Sequence, residues 1–285
     1  MLGFVNIIKP TGVSSGYVVN RIKRLTKEKV GHLGTLDPLA TGVLPIAVGR
    51  ATRFFDYFLK KDKKYFALAK FGVETDTLDS EGKIVSTSNV KISFEDVKKV
   101  ASELIGETMQ MPPIFSAKSV GGVRAYEAAI NNQPIELEPK RVNIYSIEVE
   151  PWVQEGIFAL NIHCSSGTYV RAIIRDIAEE LGTKATTVAI IRTKSGKFEM
   201  DSAITLEEFE KNIKSSLIKV NDILNFSRID LTPNLAKDLF SGKEVEYQCE
   251  DGEYITYLDN EEFSIVEASK NKIKNKIYLY YKDKV

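Results

Sequence analysis

The apolar residues change their spacing several times along this chain, and each change marks an element. Val18, Val19, Ile22 and Leu25 recur at helical intervals, with Ser14 or Ser15 as the N-cap and Arg21, Lys23, Arg24 and Lys27 around the rest of the turn. The spacing predicts an amphipathic helix over 15–27 with a basic outer face. From Lys64 to Gly72 the residues Tyr65, Ala67, Ala69 and Phe71 alternate with Phe66, Leu68 and Lys70, which predicts a strand buried on at least one side. The segment VETDTLDSEG then reads as a turn. After Ser93, the residues Phe94, Val97, Val100 and Leu104 share a helical face, and Gly106 is placed to take the left-handed conformation at the helix end.

Two strands are predicted at 141–149 and 157–164, the second with Phe158, Leu160, Ile162 and Cys164 on one side and His163 on the other. A helix over roughly 169–181 turns Val170, Ile173, Ile174, Ile177 and Leu181 inward and stops at Gly182. Thr205 and Glu208 form a capping-box pattern that opens a last helix, running to about residue 214. Beyond Asp230 the pattern shortens to brief strands, and residues 228–285 carry nine basic and twelve acidic residues. There is no internal repeat and no regular strand–helix–strand rhythm. These features predict an α+β body over 1–227, built on a largely antiparallel mixed sheet with flanking helices, and a small β-rich domain over 228–285. In its final strand Lys270, Lys272, Lys274 and Lys276 point one way, as an RNA-facing ridge would or as lysines that blunt a sheet edge would.

At 285 residues, 43% hydrophobic and 27% charged, with 18 Gly and 9 Pro, the composition excludes collagen-like, disordered and low-complexity classes. No apolar run approaches the length of a membrane span, and MLGFVNIIKPTG lacks a basic leader and breaks at Pro10 and Gly12. Cys164 and Cys249 form no C-x-x-C pair. A cytoplasmic protein without a structural zinc is therefore expected. Basic and acidic residues balance at 39 each, but Lys9–Lys29 holds six basic residues and one acid, and Arg50–Lys70 holds seven and two. Such stretches suit phosphate contacts as well as they suit a solvated face.

Nucleotide-binding, zinc-protease, nucleophile-elbow and dinucleotide glycine motifs are absent, and two histidines, His32 and His163, cannot make a histidine-rich metal site. Attention moves to carboxylates. In GHLGTLDPLATGVLPIAVGRATRF, residues 31–54, one acid, Asp37, stands among Gly31, Gly34, Gly42 and Gly49 and is followed by Pro38. An Asp on such a loop is a nucleophile or general base held by a cationic partner, or it is the start of an ordinary D-P turn.

This segment resembles the signature motif of the TruB family of tRNA pseudouridine synthases, with the family's catalytic aspartate falling on Asp37. The opening K-P-x-G-x-[ST]-S pattern is matched by Lys9 to Ser15. The tyrosine strand is similar to Lys64-Tyr65 and continues into G-x-x-T-D-T-x-D at Gly72 to Asp79. MPPIFSAKSVGGVRAYEAA (111–129) and SSGTYVRAIIRDIAEELG (165–182) resemble two further family segments. The likeness covers roughly residues 1–215 in order.

The resemblance implies the pseudouridine synthase fold and a cofactor-free, metal-free isomerisation of uridine at position 55 in the T-loop of tRNA. The glycosidic N1–C1′ bond breaks and C5 joins C1′ after the nucleotide has flipped out of its stack. It casts Asp37, Tyr65 and Arg171 as catalytic, Tyr65 stacking on the uracil and assisting proton removal from C5, and Arg171 pairing with the carboxylate. It places His32, Tyr169, Ile190, Lys9, Asp76 and Lys118 among the substrate contacts, with isoleucine at 190 where the family usually has leucine. Residues 110–138 resemble a mobile thumb whose Lys118 and Arg124 meet phosphates, and 228–285 correspond to a PUA-type RNA-binding appendage. A single chain, monomeric, acting on tRNA without an obligate protein partner is expected. Against it stand a non-catalytic RNA chaperone, a guide-RNA-dependent synthase, and a glycosidase pairing Asp37 with an acid such as Asp76 at a defined separation.

Overall fold

The computed structural model describes residues 1–59, 61–116, 119–120, 123–124, 131 and 136–279. In chain order the strands are β1 (Gly3–Lys9), β2 (Val30–His32), β3 (Thr41–Val48), β4 (Lys63–Phe71), β5 (Val73–Thr75), β6 (Ile84–Thr87), β7 (Gly106–Gln110), β8 (Ser119–Val120), β9 (Val123–Arg124), β10 (Lys140–Pro151), β11 (Ile157–Cys164), β12 (Ala185–Ser195) and β13 (Phe198–Glu199). A second group follows: β14 (Ser227–Asp230), β15 (Val245–Glu246), β16 (Gly252–Leu258), β17 (Glu261–Ser269) and β18 (Lys272–Tyr278). The described helices are α1 (Ser15–Thr26), α2 (Phe55–Leu59), α3 (Phe94–Glu103), α4 (Val170–Glu180), α5 (Leu206–Lys211), α6 (Val220–Leu224) and α7 (Pro233–Phe240).

One large sheet runs β1-β3-β12-β4-β11-β10-β7, with β2 added to β3 and β13 to β12. Every pairing is antiparallel except β3 with β12, where Ile191 faces Thr41 and Arg192 faces Gly42. This is the α+β architecture that the residue pattern predicts. Tyr65, Ala67, Ala69 and Phe71 of β4 and Leu160, Ile162 and Cys164 of β11 turn to one face, where Val18 and Ile22 of α1, Val97 of α3 and Ile173 and Ile177 of α4 cover them. Pro45 lies within β3 opposite Asn6 of β1, and its carbonyl accepts from Leu33 N at 2.8 Å just past the last β2 pair, His32 with Ile46, so the missing N–H falls at the end of the β2 ladder.

A second core joins the two sheets. Phe4, Phe54, Phe58 and Phe198 pack with Ile255, Ile265 and Ile277 of the C-terminal sheet, which runs β14-β16-β17-β18-β15. Phe4 meets Phe58 edge to face with centroids 5.2 Å apart. The Glu262 carboxylate of β17 accepts from the backbone of Val220 and Asn221 at the start of α6, at 3.1 and 2.8 Å. The Tyr57 hydroxyl donates to Glu253 at 3.0 Å.

Several expected boundaries move. Ser14 is the N-cap of α1, and Lys27 closes that helix in the left-handed conformation. α3 ends at Glu103 with Leu104 right-handed, and Gly106, at φ +120°, opens β7 instead of capping the helix. The capping box of Thr205 and Glu208 is formed, but α5 stops at Lys211, short of 214. The C-terminal region contains α7 besides its strands, opened by the Thr232 cap and Pro233. Lys270 sits in the turn before β18, outside the expected row, while Lys274 pairs with Glu244 and Lys276 with Glu253. Among the described residues no helix is long and apolar enough to cross a membrane.

Candidate active site

Residues 33–40 connect β2 to β3 without ladder partners, so their backbone groups need other ones. The segment Lys9 to Ser15 supplies many of them. The Ser15 hydroxyl accepts from Leu36 N at 2.9 Å and donates to Leu36 O at 3.0 Å. Gly12 N donates to Pro38 O at 2.9 Å, and the Thr11 hydroxyl to Leu39 O at 2.8 Å. Lys9 is fully buried, and its ammonium donates to the carbonyls of Pro10, Val13 and Pro38 at 2.7, 2.7 and 3.1 Å. From the opposite side the buried Arg192 guanidinium donates to the carbonyls of Val43, Thr35 and Gly34 at 2.8, 3.1 and 2.9 Å. A fixed loop results, with the Asp37 side chain, 31% exposed, left to face outward.

What Asp37 meets is Arg171, in the first turn of α4. One guanidinium nitrogen lies 2.6 Å from Asp37 Oδ2 and donates to Phe115 O at 2.9 Å; the other lies 3.2 Å from Asp79 Oδ2 and donates to Thr77 O at 2.7 Å. The side chain is 4% exposed, and a cation so buried needs both carboxylates and both carbonyls to offset its lost hydration. Asp79 is itself held by the Thr77 hydroxyl at 2.6 Å and Glu81 N at 3.1 Å. This fork cannot be copied by lysine, whose ammonium is a point charge.

A cavity of about 590 Å³ opens over the pair, a size ordinary for a small-ligand site. His32, Asp37, Tyr65, Tyr169 and Ile190 all line it, and Arg171 stands behind Asp37. Burial pushes the Tyr65 hydroxyl up to about 12, so the phenol keeps its proton at neutral pH. Tyr169 caps α4, and its backbone N and O are bracketed by the Gln110 side-chain amide at 2.8 and 3.2 Å. Burial raises its hydroxyl as well.

Two expected substrate contacts lie outside the cavity lining. Lys9 does not reach the cavity: its charge is turned inward to carbonyls, and burial lowers it to about 8. Asp76 also lies outside the cavity lining, its carboxylate accepting from Lys83 N at 2.8 Å within the β5–β6 hairpin. The acid beside Asp37 is Asp79, three residues on, and both share one guanidinium, unlike a pair that flanks a glycosidic bond. Lys118 lies outside the described residues, as does much of 110–138. The sequence reading passed over Asp79, Gln110 and Arg192, and also Lys63 and Lys140 of the cavity wall. Asp79 stood inside the quoted T-D-T-x-D element and Arg192 beside Ile190. Among the described residues no three His, Cys, Asp or Glu side chains are grouped to hold a metal ion.

Residues 22–170 match the model of the TruB family pseudouridylate synthase, N-terminal domain. The chain belongs to the TruB family. It is 39% identical over 243 residues to the tRNA pseudouridine synthase B of Caldanaerobacter subterraneus subsp. tengcongensis, covering 85% of each chain. It is 43% identical over 220 residues to the enzyme of the same name from Trichormus variabilis, covering 75% of this chain and 74% of that one. Two solved structures share the fold. An H/ACA ribonucleoprotein bound to a substrate RNA containing 2′-deoxyuridine aligns with TM-score 0.68 at 21% identity, over 99% of this chain and 86% of that one. A Cbf5-Nop10-Gar1 complex aligns at 0.67 and 23%, over 96% and 83%. As a TruB-family pseudouridylate synthase the protein is an isomerase.

Proposed function

We propose that this chain converts uridine 55 in the T-loop of tRNA to pseudouridine, as a single polypeptide in the cytoplasm, with Asp37 as the catalytic carboxylate. The observation that carries the reading is Asp37 held 2.6 Å from a buried arginine at the floor of a cavity walled by Tyr65 and Tyr169. The names of the bacterial relatives support tRNA as the substrate.

The reaction consumes nothing: N1–C1′ breaks, the uracil turns, C5–C1′ forms, and the proton leaving C5 is replaced by one gained at N1. Asp37 acts at the sugar while the fixed loop keeps it in place, since preorganisation of a charged group removes reorganisation cost from the barrier. Tyr65 lies under the base, and its buried phenol, protonated, takes part in removing the C5 proton only as a relay that passes its own proton on as it receives that one. Extrusion of the base costs a few kcal/mol, which stacking on Tyr65 and Tyr169 and the entry of His32 into the vacated place offset. Residues 228–285 act as a PUA-type RNA-binding unit and the 110–138 segment as a thumb.

The test is to incubate the purified chain with an unmodified tRNA transcript, without metal or nucleotide, and to map pseudouridine by carbodiimide labelling and primer extension. One stop at the T-loop uridine, absent with Asp37→Asn, is expected. Tight binding without a stop would replace the enzyme by an RNA-binding module or by a synthase that needs a guide.

A further inference from the structure

Two lysines of the cavity wall have no part in the chemistry above. Lys63 opens β4 and is nearly fully buried, its ammonium donating to Lys61 O at 3.3 Å. Burial, and after it the Arg192 charge, lowers it to about 8. Lys140 opens β10 and lies across Gly167. That glycine has φ +84°, and a β-carbon built on it would overlap the Lys140 ammonium nitrogen and come 3.0 Å from its Cε. The S-S-G-T turn therefore leaves a slot that the Lys140 side chain occupies.

The two ammonium groups feel one another, for Lys140 is among the charges that push Lys63 down. Among the described residues neither forms an ion pair. The nearby acids are already engaged: Asp37 with Arg171, and Asp62 with His163 Nε2 at 2.7 Å. Two neighbouring cations, one of them desolvated, on the wall of an open cavity repel each other until an anion lies between them. Nucleic acid brings an anion with every nucleotide. It stays at the mouth when the base goes in, and compact ammonium donors suit it.

We propose that Lys63 and Lys140 together bind a backbone phosphate of the nucleotide whose base enters the cavity. This rests on the proposed uridine isomerisation and names residues that position its substrate. Arg171 and Arg192 are not placed for the role: both terminal nitrogens of Arg171 are held by carboxylates and carbonyls, its Nε is sealed from solvent, and all three nitrogens of Arg192 donate to loop carbonyls.

The test uses the full chain and a T-arm RNA hairpin in which each linkage flanking the target uridine is replaced, one at a time, by an uncharged methylphosphonate. For the parent protein one linkage is expected to weaken Kd about tenfold, the scale of a lost charged hydrogen bond. Lys140→Met weakens the unmodified hairpin by a similar factor and is then indifferent to that linkage alone, while Lys140→Arg restores the sensitivity. The slope of log Kd against log salt falls by about 0.7 for the single-stranded loop. Lys140 is exposed, so the variant is expected to fold; Lys63→Met, checked for folding by circular dichroism, should lose sensitivity at the same linkage. Equal losses in parent and Lys140→Met at every linkage would overturn the pairing. A parent chain that modifies no uridine in the unaltered hairpin would instead overturn the isomerase reading beneath it.

Discussion

Asp37 and Arg171 divide the work of one ion pair unequally, because the arginine is locked behind the cavity while the carboxylate can reach a ligand. Asp37→Asn keeps the shape and removes the charge. Turnover is expected to fall on the order of 10³-fold or more in a tritium-release assay, with Kd for RNA nearly unchanged. If the variant instead fails to fold, Asp37 is a turn residue after all. Tyr65→Phe deletes only the hydroxyl and should lower kcat by about 10²-fold with little effect on KM, the scale of a lost proton-transfer group. Lys63 predicts a pH effect of definite sign. Its folded value of about 8 lies below its unfolded 10.5, so its charge penalises the fold below pH 8 and the penalty fades as pH rises from 8 to 10.5. Lys63→Met should therefore be more stable than the parent at pH 7 by on the order of 1–3 kcal/mol, with the gain gone near pH 10.5 in urea unfolding. An unchanged gain across that range would mean that Lys63 is not desolvated. Lys9 shows what residue type alone does not reveal. A lysine at the head of a basic stretch suggests a phosphate contact, yet its charge is spent on three carbonyls inside the fold.

At the scale of elements, the pieces legible in the sequence are those with one buried face. β4 alternates and α4 repeats at helical spacing, so each announces itself. β1, GFVNIIK, is buried at all but one position, because the helical layer covers one side and the phenylalanine core the other. Such a strand shows no alternation. β3 carries a proline that argues against a strand until its neighbours are known. Asp76 and Asp79 illustrate the same limit within one turn: they stand three residues apart, one tied to a hairpin amide and the other to Arg171. Gly42, the second residue of β3 after the Asp37 loop, has φ +103°, and a β-carbon there would collide with the Arg192 carbonyl and come 2.9 Å from its nitrogen. Gly42→Ala is expected to cost about 2–4 kcal/mol in urea unfolding, since it strains a left-handed position and pushes β3 from β12. A loss below about 0.5 kcal/mol, the level of an ordinary surface change, would show that the parallel contact yields without cost.

For the whole molecule, the balance of 39 basic and 39 acidic residues conceals where the charges go. Of the local basic stretches, Lys9 and Lys63 turn inward and Arg21 pairs with Glu210 at 2.7 Å, so a count along the chain overstates the free positive surface. The C-terminal sheet is bound to the body by a common apolar core and by Glu262 and Glu253, not merely linked to it. Ending the chain at residue 226 uncovers Phe4, Phe54 and Phe58, and a lower Tm with new binding of a hydrophobic dye is expected. Unchanged melting would show that the shared core contributes nothing to the body.

That shared core also makes the molecule a gauge. An appendage on a flexible tether lets its partner slide and settle, but a sheet whose Ile255, Ile265 and Ile277 interlock with Phe4 stands at one fixed separation from the cavity. An RNA touching both places is measured as well as gripped. If residues 228–285 bind RNA as proposed, an RNA whose contact points lie nearer or farther than that separation must bend or let go of one end.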